Sequence, residues 1–296
     1  MARRDRIDAA GAIALTGFAA LLGFNQVVIK VVNEGLQPVF FAGLRSVIAT
    51  ACVAAWVLWR RGGLGHQPGT AGAGVLVGLV FAAEFLCLFL ALDLTTVVRT
   101  AIIFYSMPVW LALMAHATLP GERITRTRAL GLGLALAGTV WAILDQGSAP
   151  WGGTLAGDLC ALGGAVGWAA SAWMARGTAL VRLRPETQLL WMVAVSGPIL
   201  LAAAPAFGPL VRDLAAIHLL GLAFQGVIVV AAGFVFWLWL LSVYPASGVA
   251  SFSFLTPVFG LAFGALILGE PVGPGIIGAA GLVALGIVLI NRRPRS

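Results

Sequence analysis

The chain has 296 residues, 60% of them hydrophobic and only 10% charged, with a net charge of +7 and a mean hydropathy of +1.01. A soluble domain carries about 25% charged residues, and no water-facing surface could hide this much apolar area, so the solvent is lipid. The three cysteines (Cys52, Cys87, Cys160) stand singly in apolar runs, which indicates neither a disulfide framework nor a metal knuckle.

Apolar runs long enough for a hydrocarbon core of about 30 Å recur along the chain. Hydropathy and punctuation place ten helices at roughly 11–32, 39–59, 71–92, 97–118, 128–145, 153–175, 187–206, 215–241, 247–268 and 273–291. The start, MARRDR followed by an Ala/Leu-rich run, resembles a signal peptide. The apolar run continues through Asn25 and Val32, which is too long for one, so it is expected to remain as the first span.

That span carries Gly23-Phe24-Asn25-Gln26 at its middle. Polar amides at this depth need partners, because an unpaired polar group costs several kcal/mol in hydrocarbon. Asn25 therefore either bonds a neighbouring helix or faces a polar cavity, while Lys30 is expected to snorkel to the surface. Arg45 in the second span and Glu84 in the third are the two charges well inside predicted spans, each roughly 10 Å below the same boundary. Such residues pair with each other or serve a site. A buried Arg45–Glu84 pair is one reading. The other is that Glu84 meets a cationic substrate group or a coupling proton, with Phe81 and Phe85 on the face around it.

The fourth span opens at Arg99, read either as an interfacial anchor or as a carboxylate-attracting group beside free helix N–H groups. Tyr105 precedes Pro108 by three residues, and Phe254 precedes Pro257 by three in the ninth span. A proline inside a span frees a carbonyl and bends the helix, so both spans are expected to act as hinges, with Tyr105 and Phe254 near the bends. The fifth and tenth spans are rich in glycine, which lets helices approach closely. They read as scaffold, with a dimer contact also open. The sixth and eighth spans supply Trp168 and Trp237 as candidates for a cavity wall.

The basic residues are unevenly spread. With the N-terminus inside, fourteen of the eighteen Lys and Arg fall on inner segments, among them Arg3, Arg60, Arg126, Arg182 and Arg293. This bias places both termini in the cytoplasm and assigns the positive charge to lipid-facing loops, with no nucleic acid as partner. The chain also repeats itself. Ala101 and Pro108 recur as Ala250 and Pro257, Gly121-Glu122 as Gly269-Glu270, and Gly133 and Gly138 as Gly281 and Gly286. Two halves, 1–147 and 148–296, with five spans each must enter the membrane from opposite sides. Such an inverted repeat is typical of secondary transporters, whose substrate sits near the midplane between the halves.

No P-loop, G-x-S-x-G elbow or H-E-x-x-H pattern occurs, so the chain is expected to be no enzyme, with no cofactor and no metal. The ten spans, the five-plus-five halves and the Pro…Gly-Glu…Gly-rich ending of each half resemble the EamA branch of the drug/metabolite transporter superfamily. Within it, FAAEFLCLFLALDL with Glu84 and the following IIFYSMPVW are similar to the YddG group of amino-acid exporters. The resemblance implies a multi-pass inner-membrane protein, monomeric or homodimeric, that exports amino acids, often aromatic or otherwise apolar, through a central cavity. On this reading Asn25, Phe81, Glu84, Phe85, Arg99, Tyr105, Trp168, Trp237 and Phe254 would line the site, and Pro108 and Pro257 would hinge its gates by alternating access. A broad-specificity drug or metabolite carrier, and more distantly a channel-like protein or receptor, remain open alternatives.

Overall fold

A computed structural model describes residues 7–63, 65, 67–118, 124–145, 153–244, 252 and 255–291. These residues are helical and contain no strand, only an isolated bridge between Leu36 and Val211. The helices are α1 (Ala9–Gly35), α2 (Pro38–Arg61), α3 (Ala71–Leu94), α4 (Val97–Phe104), α5 (Met107–Thr118), α6 (Arg126–Leu144), α7 (Leu155–Gly177) and α8 (Pro185–Ala203). A π-helical segment, Phe224–Ala232, joins α9 (Ala216–Ala223) to α10 (Gly233–Val243), and α11 (Leu255–Leu268) and α12 (Pro274–Asn291) are the last of the described helices.

Eight helical stretches are long and apolar enough to cross a membrane, and Leu255–Leu268 and Pro274–Ile290 are shorter apolar helices. Helices apolar on every face bury themselves in protein or in lipid. Here many outward side chains are apolar, as at Leu266, which is 82% exposed. Local sequence sets the ends. Asp8, Thr96, Thr125 and Thr154 each accept a backbone N–H at the start of a helix, which satisfies donors that have no intrahelical partner. Gln37 does the same for α2, where Pro38 loses no hydrogen bond at the first position.

The predicted fourth and eighth spans hold as single stretches, Val97–Thr118 and Ala216–Trp237, but each is irregular inside. The predicted fourth span is broken at Tyr105-Ser106, just before Pro108, into α4 and α5. The ring of Pro108 clashes with a helical carbonyl four residues back, so the helix is interrupted there, at the bend that the proline announces. The predicted eighth span contains nine residues of π-helix. Its i→i+5 bonds widen the coil, and nothing in the apolar periodicity announces that. Phe254, Gly121 and Glu122 lie outside the described residues.

Glycine faces fix the tightest contacts. A Cβ on Gly131 would lie 2.8 Å from the Gly286 carbonyl oxygen, and one on Gly286 2.5 Å from the Gly131 oxygen. Gly131, Gly138 and Gly286 are thus used in the contact of α6 with α12, whereas Gly133 and Gly281 face open space. On α7, a Cβ on Gly167 would come within 2.9 Å of Glu84 Cβ, which brings α3 and α7 together at the depth of the buried carboxylate.

Candidate functional site

The side of the bundle where α1 ends and α2 begins, here the upper side, is tied by polar contacts. Lys30 Nζ donates to the carbonyls of Leu92 (3.2 Å) and Thr95 (2.7 Å), so it crosses to the end of α3 instead of reaching for the surface. Arg212 forks onto both carboxylate oxygens of Asp93, at 2.6 and 2.9 Å, and the pairing raises its pKa. Glu270 accepts from the backbone N–H groups of Val97 and Val98, both at 2.8 Å, and so caps α4 from the other end of the sequence. The left-handed Gly269 (φ +66°) turns the chain there. Burial pushes the Glu270 carboxyl up, and the Val98 and Val97 N–H groups and Lys30 pull it back.

Arg99 belongs to this tie. Its Nη2 lies 2.5 Å from Asp158 Oδ2, its Nε donates to both oxygens of the same carboxylate, and its remaining donors reach the carbonyls of Asp145 and Ile143. Both side chains are almost wholly buried. Arg99 is therefore neither a free interfacial anchor nor open toward a ligand, because its donors are already engaged by protein acceptors.

Below this layer lie the two deep charges. Glu84 is 3% exposed and accepts from the Ser171 hydroxyl at 3.1 Å. Arg45 is 2% exposed, and its Cζ sits 3.7 Å from the centroid of Phe85. The Arg45–Glu84 ion pair that the sequence left open does not form, because Glu84 turns toward α7 and Arg45 lies on the Phe85 ring. Phe81 packs tilted on Phe85 at 4.5 Å and Phe85 leads on to Phe89 at 6.0 Å, an aromatic run along α3.

Tyr105 and Trp168 are brought together. Their ring centroids are 5.6 Å apart in an edge-on pair, and Phe104 stacks on Trp168 at 5.1 Å. Phe85 and Trp168 pack on the same core cluster as Tyr105. The Tyr105 hydroxyl hydrogen-bonds the Thr256 side chain. Tyr105 stands at the break before Pro108 and Thr256 directly precedes Pro257, so the two proline positions are joined through this contact.

The remaining candidates separate. The Asn25 side chain accepts from Gln225 Nε2, which links α1 to the start of the π segment. This is the helix-to-helix bond that the amides required. Trp237 stacks on Phe18 at 5.4 Å and packs with Leu15, Leu240 and Tyr244 near the lower end of α1, in a cluster apart from Glu84. Ser171 and Thr256 were missed because a lone hydroxyl in an apolar run carries no signal. Gln225 was visible only as a polar residue in a span. A further apolar cleft of about 530 Å³ lies between α2 and the π segment, lined by Cys52, Trp56, Val227, Phe236 and Trp239 among others. No group of three potential metal ligands occurs among the described residues.

The chain is similar to known proteins over nearly all its length. The EamA-like transporter family model matches residues 9–144 and again 155–292. An uncharacterized transporter of Bacillus subtilis, YoaV, is 23% identical over 94% of this chain and 95% of its own. A probable amino-acid metabolite efflux pump of Escherichia coli is 29% identical over 98% of this chain and 93% of its own. A crystal structure superposes with a TM-score of 0.65 over 96% of this chain and 98% of its own, at 22% identity, which shows a shared fold. Relatives and family are named as transporters, and the helices are those of a multi-pass membrane protein. With both halves matched, the chain is a member of the EamA-like transporter family.

Proposed function

We propose that this transporter exports small, largely apolar amino acids across the inner membrane, by alternating access around a site on α3, α4 and α7. The observation that carries the reading is Glu84. A carboxylate buried at mid-span is held by one hydroxyl, with no cation in ion-pair distance and aromatic rings on either side. An intramembrane acid of this kind is a functional group by default. It would take the α-ammonium, while Phe81, Phe85, Tyr105 and Trp168 would receive the apolar side chain. The printed name of the Escherichia coli relative supports the substrate class. The paired family matches support two homologous halves, 1–147 and 148–296. Their inverted orientation, with Tyr105 bonded to Thr256 between the prolines of spans four and nine, would let both proline positions work as coupled hinges. The excess of basic residues on alternate loops supports cytoplasmic termini.

A second reading, a broad-specificity drug carrier, is favoured by the apolar cleft between α2 and the π segment. Proteoliposomes separate the two. The purified chain should show saturable counterflow of labelled phenylalanine or leucine, measured with and without a pH gradient. Glu84→Gln should cut that flux at least tenfold at equal protein content. Robust efflux of apolar cationic drugs with no amino-acid counterflow would replace the first reading by the second. Unchanged amino-acid flux in Glu84→Gln would remove Glu84 from the site.

A further inference from the structure

Among the described residues, Arg45 is the largest fully buried side chain whose polar atoms the fold does not satisfy. Its Nε and Nη2 are both buried and without a hydrogen-bond partner. Its guanidinium is held flat by rings, with Cζ 3.7 Å from the centroid of Phe85 and 5.4 Å from that of Phe89. Rings attract a cation through their faces but do not supply the in-plane acceptors that a guanidinium fork needs. Buried donors of this kind are rare and call for an explanation.

The nearest answer would be Glu84, and the geometry withholds it. Successive helical side chains point about 100° apart. Glu84 uses its direction to reach Ser171 on α7, and Phe85, the next residue, carries Arg45 on its ring. Two opposite charges are thus buried on the packed helices α2 and α3 without touching. Charges so placed attract strongly in a low dielectric, yet each is turned to a different neighbour, Glu84 to Ser171 and Arg45 to the Phe85 ring. Arg99, at the start of α4, is by contrast engaged by Asp158.

We infer that Arg45 is the anion-binding half of the Glu84 site: its guanidinium takes the carboxylate of a zwitterionic substrate whose ammonium Glu84 takes. The inference rests on the reading of Glu84 as the ammonium site and adds the group that makes the site select an α-amino acid over an amine. A carboxylate offers two oxygens to two parallel N–H groups, which matches the orphaned donors in number and sign. Lysine would provide only a point charge there.

The full chain in lipid nanodiscs, titrated calorimetrically with three ligands, tests this. L-Phenylalanine carries both charges, L-phenylalaninamide only the ammonium, and 3-phenylpropionate only the carboxylate. Arg45→Gln should weaken phenylalanine and phenylpropionate at least tenfold and leave phenylalaninamide within about twofold. Arg45→Met, a volume-conserving apolar replacement that leaves no orphaned donor, should do the same if the Gln variant does not fold. Arg45→Lys should weaken phenylalanine a few-fold and keep its preference over the amide. Glu84→Gln should show the reverse pattern, losing the amide and sparing phenylpropionate. Equal weakening of all three ligands by the Arg45 variants, or none, overturns the inference while leaving the Glu84 reading standing. If the unmodified chain binds none of the three, the amino-acid reading itself fails.

Discussion

The Arg99–Asp158 pair shows how much one buried contact governs. Breaking a buried pair leaves an uncompensated charge and costs about 3–5 kcal/mol, whereas replacing both partners with apolar groups is often close to neutral. Arg99→Met and Asp158→Leu should therefore each lower the thermal unfolding midpoint in detergent by many degrees. The double variant should recover much of the loss, as a strongly non-additive cycle. Additive effects would mean that the carbonyls of Asp145 and Ile143 hold Arg99 equally well without Asp158. The sequence showed both residues but not their union, because they are 59 positions apart and on different helices. Hydropathy places a charge at a depth, whereas its partner depends on how helices rotate about their axes. For the same reason Asn25 could be given a partner in principle, and only the packing of α1 on the π segment names Gln225.

Helices were the most legible level. Proline marked the break between α4 and α5, and glycine marked the faces of α6 and α12, whereas the threonine caps of α4, α6 and α7 were found only in the structure. The π segment was illegible, since five residues per bond leave no distinct trace in an all-apolar run. Glycine content alone also fails to tell which glycines matter. On α12, Gly286 faces the Gly131 carbonyl at 2.5 Å from a would-be Cβ, while Gly281 has open space. Gly286→Ala should thus destabilise by about 1–3 kcal/mol through overpacking. Gly281→Ala on the same helix should stabilise by about 0.5–1 kcal/mol through lower chain entropy in the unfolded state. Thermal unfolding of the two single variants reads the difference directly. Equal shifts would mean that α6 and α12 do not meet in this register.

At the scale of the molecule, the question is whether the two halves face opposite ways. Exchanging them maps the α6–α12 and α2–α8 pairs onto themselves, and maps α1–α11 onto the contact of α7 with α4 and α5. It likewise carries α3–α8 onto the contact of the π segment with α2. A duplicated bundle has these pairings whichever way the second copy was inserted, so the decisive observable is compartment. Thr125, beside the first Gly-Glu position, and Val272, just after the second, are both described and lie outside the helices. In a chain whose Cys52, Cys87 and Cys160 are replaced by alanine, Thr125→Cys should react with a membrane-impermeant maleimide only in inside-out vesicles. Val272→Cys should react only in right-side-out cells, because five spans separate a position from its counterpart and an odd number reverses the side. Labelling of both from one compartment would leave the halves parallel. Glu270 and its counterpart Glu122 would then lie on the same side, and the hinged exchange through Tyr105 and Thr256 would lose its basis.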